Sequence, residues 1–472
     1  MITITKKKEE CKFNPIKLLP HQKHLLASLD EDRYPIYICW GMGSGKTIGA
    51  CMCMTTLAQN SKVLIICDKS TVIQWQSEVE KLLDRNASEF PNIIVNIIHY
   101  EFLEQECAPV PRLYDMTIVD EAHRFRNAWS RQSARMLHWI YLINACQRVV
   151  YLSGTPIVHD ASAERLAFDK LMGPKILSKR VFFYNPRLDA KSERKYPKQE
   201  ELTVFCEMSW AQCFLYMLNR KQEFLLKLDG DDVVRSRVSS SKNTYNTLLR
   251  AFSNNPFPEN PAASPKFQEI LKHIEYHDNR KFKQIVYSSR KDTGVKALQT
   301  LWHSFSGKVS YQITGDMDLH DRAEHIKKFN RKSNSILFIT DAGGQGIDLK
   351  RVDVVHIMEP AENIQDEMQI VNRAIRYKSH SQPDSIVTVI RYVTSFPVSG
   401  SVAPPWKRVL YESGMFDKTE MKGITRRVQY SLKRLIEEEE NNETIDQKVI
   451  RVRNQRELHV QEALHKLREE AS

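Results

Sequence analysis

What this chain of 472 residues lacks narrows the field first. It has nine cysteines but no C-x-x-C pair, so a zinc ribbon or a thioredoxin-type redox centre has no support. Several cysteines sit inside apolar runs, Cys39 in Tyr34–Trp40 and Cys67 in Val63–Cys67, and the expectation is buried, reduced thiols in an intracellular protein. No apolar run approaches the roughly 18 residues that span a bilayer, so no membrane partner is expected. Met1–Glu10 carries Lys6, Lys7 and Lys8 followed by acids, without the apolar core of a secretory signal. It reads as a solvated start, with a nuclear signal as the other reading. Sixteen glycines and 19 prolines are too few for a fibrous or low-complexity chain. There is no zinc finger, RNA-recognition signature or long basic tail. Charge of one sign is also not extreme: 69 basic against 58 acidic residues leave +11, compatible with a polyanion partner but not diagnostic of one.

What is present is a length that suggests about three domains and an alternation. Short runs rich in Val, Ile and Tyr recur, among them Pro35–Trp40, Val63–Cys67, Ile93–Tyr100, Met116–Val119, Arg148–Leu152, Gln284–Ser288, Ile336–Thr340, Val352–Met358 and Ile386–Val393. Helical-looking segments separate them. Such runs fit strands covered on both faces, as in parallel sheets, and the alternation argues for α/β layers. One series ends near Pro174; a second runs from about Lys266 to Val393. The expected division is 1–174, 175–264 as a mostly helical inter-lobe extension and linker, 265–395, and 396–472 as a helical tail. Ser209-Trp-Ala-Gln212 and Thr444–Gln447 have capping-box spacing and are expected to start helices. Trp406–Asn442 is helical in character. After Thr444, Ile445, Val449, Val452, Leu464 and Leu467 lie roughly on one helix face.

The sharpest signal is Trp40-Gly-Met-Gly-Ser-Gly-Lys-Thr47, between an apolar run and a helical-looking segment, Ile48–Leu57. Small residues, here Gly43, Ser44 and Gly45, let backbone N–H groups curl around phosphate oxygens, and the following helix points its positive end at them. Lys46 would reach the outer phosphates and Thr47 would hold magnesium. The strict pattern has glycine where Trp40 stands. About 75 residues later Met116–Val119 runs into Asp120-Glu-Ala-His123. Adjacent acids at a strand end suit a nucleotide pocket: Asp120 to bind Mg2+, Glu121 to orient and deprotonate the attacking water. Tyr151-Leu-Ser-Gly-Thr-Pro156 adds a polar turn able to couple that pocket to another site. In the second series, Thr340-Asp-Ala-Gly-Gly-Gln-Gly-Ile-Asp348 follows an apolar run, and its glycines allow close approach of a ribose or a nucleic-acid strand. Gln369, Arg373 and Arg376, spaced by four and three, are expected on one helix face, where two arginines can clamp a γ-phosphate.

In order, these motifs resemble superfamily 2 helicase-like ATPases of the Swi/Snf branch, from about Lys17 to Leu467. Leu19-Pro-His-Gln22 looks like the opening motif, which implies that Gln22 reads adenine. Val63–Trp75 looks like motif Ia, with Asp68 where proline is common, and Asp120–Ser130 like the extended DEAH motif. Met208–Gln212 with Tyr216 resembles the segment before the second lobe, Ser264-Pro-Lys266 its S-x-K entry, and Gly315 to Asn330 with Arg322 and Phe329 the G-x-x…R…F-N segment. One departure stands out: Arg376-Tyr-Lys-Ser-His380 replaces the usual R-x-G-Q. With Phe252-Ser-Asn254…Pro258 and Thr444-Ile-Asp446, it looks closer to compact ATPases of large cytoplasmic DNA viruses, including poxvirus nucleoside triphosphatase I and early-transcription-factor ATPase.

The resemblance implies two tandem RecA-like lobes with ATP between them. Gln22, Gly43, Ser44, Gly45, Lys46 and Thr47 would bind nucleotide, with Gly346 and Asp348 from the second lobe. Lys46, Asp120, Glu121, Arg373 and Arg376 would be catalytic. Nucleic acid is expected at Lys69 and Ser70, at Ser289 and Arg290, and at Thr340 and Gly343, mainly through its backbone. Trp75 is expected in the core, and Arg124 and Arg126 as packing or contact residues. The expected activity is nucleic-acid-stimulated ATP hydrolysis coupled to movement on duplex DNA, in viral transcription. The alternatives are a strand-separating DNA or RNA helicase and an ATP-switched binding subunit of a transcription complex. An intracellular setting is expected: infected-cell cytoplasm or virion if viral, or the nucleus.

Overall fold

The computed structural model describes residues 1–5, 16–29, 34–41, 43–85, 88–104, 113–125, 134–154, 161–173, 180–184, 196–213, 216, 249–255, 260–341, 347, 349–361, 364–376, 379–380, 382, 384–397 and 443–471. The chain forms two compact units, Met1–Tyr196 with Gln455–Ser472, and Pro197–Asn454.

The first unit is built on a seven-stranded sheet: β1 (Ile2–Thr5), β2 (Ile36–Trp40), β3 (Ser61–Cys67), β4 (Ile93–His99), β5 (Met116–Val119), β6 (Arg148–Leu152) and β7 (Val181–Tyr184), in the order β1-β4-β3-β5-β6-β2-β7. All neighbours are parallel except β1, which runs antiparallel to β4. Every residue of β2 and β5 is buried, because helices cover both faces. The two faces follow strand alternation. Ile36, Ile38, Trp40, Val63, Ile65 and Cys67 pack with α1 (Pro20–Ala27), α2 (Lys46–Met52) and α3 (Val72–Arg85). Tyr37, Cys39, Leu64, Ile66 and Val119 face α4 (Ala134–Asn144) and α5 (Ala161–Met172).

The second unit has six strands, all parallel: β8 (Lys198–Glu207), β9 (Gln284–Tyr287), β10 (Tyr311–Ile313), β11 (Ile336–Ile339), β12 (Val354–Ile357) and β13 (Ile386–Ser395), in the order β10-β11-β9-β12-β13-β8. Its helices are α6 (Pro265–Asn279), α7 (Ala297–Ser306), α8 (Leu319–Arg331) and α9 (Ile364–Ala374); α10 (Ile445–Ala471) begins in this unit, and its residues from Gln455 group with the first. The α/β class with two parallel-sheet lobes is therefore as expected.

The differences have physical reasons. Composition suggests a mostly helical 175–264 segment, yet it supplies β7 to the first sheet and β8 to the second. The sequence of β8, KQEELTVFCE, is mostly exposed, as an edge strand tolerates, so it carries no apolar run to announce it. The Thr444–Gln447 box forms in full: the Gln447 side chain accepts from the Thr444 N–H at 2.8 Å, and the Thr444 hydroxyl accepts from the Gln447 N–H at 3.3 Å. The Ser209 box forms by half. Ser209 Oγ accepts from Gln212 N–H, but the Gln212 amide donates instead to the Phe252 and Ser253 carbonyls. Trp406–Asn442 lies outside the described residues. Among the described residues seven cysteines are free thiols, all buried. Among the same residues no helix is long and apolar enough to cross a membrane, and no cluster of His, Cys, Asp and Glu is placed to hold a metal ion.

Candidate nucleotide site

In the first unit the phosphate loop leaves the C-terminal end of β2 and enters α2. Gly43 and Gly45 have left-handed backbone, φ +74° and +81°, which favours glycine. Trp40 is not among the positive-φ residues, so the strict glycine there can be replaced. Its side chain is 1% exposed and packs under α2; a Cβ on Gly49 would fall 2.5 Å from its ring. The Trp40 carbonyl serves the loop, accepting from Lys46 Nζ at 2.8 Å. Ser44 closes the turn onto the Gly41 carbonyl through its hydroxyl, at 2.6 Å.

Gln22 is buried, and both ends of its amide are used. Oε1 accepts from the Leu19 N–H at 2.8 Å and Nε2 donates to the Gly45 carbonyl at 3.1 Å. The structure thus joins Gln22 to the phosphate loop, where the sequence suggested a base contact. Its neighbour His21 does the same through Nε2 and the Ser44 carbonyl (2.9 Å) and stacks on Tyr184 with ring centroids 3.7 Å apart. Sequence reasoning passed over His21; its adjacency to Gln22 was the available signal.

Asp120 extends the edge of β5, its N–H bonding the Ile66 carbonyl at 2.9 Å. Trp75 is core, as expected, but it also has a polar role, because its indole N–H donates to Asp120 Oδ2 at 2.9 Å. The Glu121 N–H donates to Asp120 Oδ1 at 3.0 Å, and the Tyr100 hydroxyl bonds the Asp120 carbonyl. Burial and the neighbouring Glu121 push the Asp120 carboxyl up to about 7, against the opposing pull of Trp75 and Lys46. Glu121 has φ +48°, a left-handed backbone that costs a non-glycine residue about 1–3 kcal/mol. His123 Nδ1 lies 3.2 Å from Glu121 Oε2 and 3.0 Å from Ser153 Oγ, so the DEAH acid and the S-G-T-P turn meet through one imidazole. The rest of that turn, Thr155 and Pro156, lies outside the described residues. Arg124 pairs with Asp68 at 2.6 Å and lies over the Tyr100 ring, so it packs within this unit; Arg126 is outside the described residues. Lys69 is exposed beside that pair, and Ser70 shares its 3₁₀ turn.

In the second unit, Arg373 lies in the last turn of α9 and donates to the Ile347 carbonyl at 3.5 Å. Spacing places Arg376 on the same helix, but α9 ends at Ala374. The Ser379 hydroxyl donates to the Ala374 carbonyl at 3.2 Å and accepts from the Arg376 N–H at 3.3 Å, which caps the helix just before Arg376. His380 adds a contact from Nε2 to the Val352 carbonyl at 3.0 Å. Ser379 and His380, two residues of the departure from R-x-G-Q, thus shape this helix end. Of the expected nucleic-acid contacts, Thr340 is buried and its N–H is spent on the Ile313 carbonyl. Ser289 is half-buried and bonds Glu359, and the Arg290 N–H bonds Ser288 Oγ. Gly343, Gly346 and Asp348 lie outside the described residues.

Residues 26–189 match the SNF2-related domain and residues 265–378 the helicase conserved C-terminal domain. A protein of Acanthamoeba polyphaga mimivirus, provisionally named an ATP-dependent RNA helicase, is 24% identical over 82% of this chain and 91% of its own length. The ATP-dependent helicase brm of Drosophila melanogaster is also 24% identical, over 80% of this chain but only 28% of that longer protein. The solved Sulfolobus solfataricus SWI2/SNF2 ATPase core in complex with dsDNA aligns over 81% of this chain and 89% of that one, at 16% identity and a TM-score of 0.35. The chain is an enzyme of the ATPase/helicase type, built from an SNF2-related domain and a helicase C-terminal domain. The first match contains Lys46, Asp120 and Glu121 and the second Arg373 and Arg376, while Gln22 and the Thr444–Asp446 segment fall outside both.

Proposed function

We propose that this chain is a nucleic-acid-stimulated ATPase that moves along duplex DNA. The observation that carries the reading is the pairing, in one unit, of a glycine-shaped phosphate loop bearing Lys46 with two adjacent acids at the end of β5. Lys46 binds the outer phosphates by leaving the Trp40 carbonyl. Glu121 orients water and takes its proton, steadied by His123. The Asp120–Glu121 pair fits a hard dication: two neighbouring acids, one pushed up by burial and by the other, are short of positive charge. Thr47 and Asp120 would hold it. Magnesium, when bound, neutralises charge on the β- and γ-phosphates. Arg373 and Arg376 supply positive charge as the terminal phosphate departs.

The nucleic acid is gripped through its phosphates by Lys69, Ser70, Arg290 and Gly343, beside Ser289 and Thr340, whose N–H groups are held inside the unit, which makes binding tolerant of sequence and sensitive to salt. Gly346 and Asp348 belong to the nucleotide side. The mimivirus relative and the residues at 252–254, 376–380 and 444–446 favour a role in viral transcription, inside the infected cell. That relative's name also supports a second reading, a strand-separating RNA helicase.

The test is ATP turnover measured side by side with duplex DNA, single-stranded DNA and RNA, followed by triplex- and strand-displacement assays. Strongest stimulation by duplex DNA, with triplex displacement and no unwinding, is expected. Preference for RNA with unwinding establishes the second reading instead.

A further inference from the structure

Four buried side chains run in an unbroken chain through the second unit, from the first turn of α10 to the turn after β9. Asp446 Oδ2 accepts from Lys266 Nζ at 2.8 Å, and Lys266 Nζ also donates to Asn254 Oδ1 at 3.0 Å. Asn254 Nδ2 donates to Glu359 Oε2 at 2.9 Å. Glu359 Oε1 accepts from the Ser289 N–H at 2.6 Å and the Ser289 hydroxyl at 2.8 Å, and both of its oxygens lie within 2.9 Å of Ser288 Oγ. Asn254, Glu359 and Asp446 are 0% exposed and Lys266 is 1%.

Charges this deep are expensive, and apolar replacements of the same volume are often as stable. What such groups do fix is geometry. Glu359 is satisfied only if the Ser289 amide and both serine hydroxyls point inward, so it dictates the shape of the Ser289–Arg290 turn. Ser288 Oγ passes the constraint on by accepting from the Arg290 N–H at 3.0 Å. Glycine at 294 leaves room for that hydroxyl, since a Cβ there would come within 2.2 Å of it. Both ends of the Asn254 amide are used, so it cannot flip without losing two bonds. Asp446 anchors the far end, also accepting from the Ser253 hydroxyl and the Thr394 N–H, each at 3.0 Å.

We propose that Glu359 and Asn254 are positioning residues that hold the Ser289–Arg290 turn in its nucleic-acid-gripping form, with Lys266 and Asp446 securing them to the start of α10. This rests on the nucleic-acid reading above.

The experiment uses the full chain and a duplex oligonucleotide, and records basal turnover, the KM for ATP, thermal stability and the duplex concentration giving half-maximal stimulation. In Glu359→Gln the half-maximal concentration should rise about tenfold, the loss of a single charge-assisted hydrogen bond. Basal turnover and the KM for ATP should hold. Adding Asn254→Asp gives the amide introduced by Glu359→Gln an acceptor and returns the negative charge to the chain, so the double variant should regain the wild-type concentration. Ser288→Ala, a change too small to unfold the unit, should weaken stimulation in the same direction. A stimulated wild type with Glu359→Gln and Ser288→Ala at the same half-maximal concentration overturns the proposal, as does equal loss of basal and stimulated turnover. A wild type that neither duplex DNA, single-stranded DNA nor RNA stimulates overturns the parent reading, and this inference with it, before any variant is measured.

Discussion

The two units carry similar sheets but secure their functional groups differently. In the first, Lys46 at the start of α2 and Asp120 and Glu121 just past the end of β5 are half-buried and held mostly by backbone groups, one indole and one imidazole. In the second, charge runs through the interior: Lys266 with Asp446, and Glu367 of α9 bracketed by Arg391 of β13 and Arg453 of α10. A site that must meet a polyphosphate keeps its charges at the rim of a sheet. The second unit ties down a turn and a helix end with buried charged groups, as the proposed roles of Arg290 and Arg376 require. Lesions in the first unit should therefore strike turnover, and lesions in the second unit's interior should strike stability.

Lys46→Ala is the largest break. Turnover should fall on the order of 10³-fold with the melting temperature unchanged, the scale of a lost phosphoryl-transfer group. Thermal melts beside the ATPase assay check both halves; a large loss of stability would erase the contrast. Next comes Asp446→Asn, which leaves Lys266 buried without its carboxylate and should cost about 3–5 kcal/mol in denaturant unfolding. Replacing both partners by Met should recover only part of that, because the Thr394 N–H, the Ser253 hydroxyl and Asn254 Oδ1 lose their buried partners. If the double variant is as unstable as the single, the pair does more than fix geometry. Trp75→Phe keeps the packing but removes the donor to Asp120, so turnover should drop about tenfold, the worth of one charge-assisted hydrogen bond.

The smallest effect is a pH dependence confined to the second unit. His356 is 0% exposed, its ring nitrogens 2.9 Å from the Tyr392 hydroxyl and the Gln284 side-chain oxygen, and burial and then the neighbouring His277 hold its pKa well below the usual histidine value. The unfolded chain binds a proton near pH 6.5 and the folded chain does not, so this group costs nothing at neutral pH. Stability falls as pH drops below 6.5, by roughly 1 kcal/mol between pH 6.5 and 5.5. His356→Asn should flatten that limb of the stability–pH curve, and an unaltered slope would assign the acid sensitivity elsewhere.

Signals that are local in sequence could be read from it. Gly43, Gly45, Lys46 and the Asp120–Glu121 pair declare themselves because a phosphate loop and an acidic strand end are short, contiguous devices. Most strands were legible for the same reason, since apolar runs such as IYICW and MTIV betray burial on both faces. The illegible parts depend on long-range partners. Glu359 is an isolated acid in the sequence, and its role appears only when Ser289 and Asn254, 70 and 105 positions away, fold onto it. The sequence marked Asn254 and Asp446 without showing that Lys266 joins them. Spacing alone puts Arg376 on a helix, and spacing cannot reveal that the Ser379 hydroxyl ends α9 before it. β8 was hidden because an edge strand needs no apolar face.

One comparison decides whether the second unit serves hydrolysis: the affinity for ATP and the rate of its hydrolysis in Arg376→Ala, a residue of the second unit, set beside Lys46→Ala in the first. Arg376→Ala should still bind ATP while turnover falls on the order of 10³-fold, as for a group that acts only as the phosphate departs. Wild-type turnover in a folded Arg376→Ala chain would contradict it, leaving the first unit to hydrolyse ATP alone.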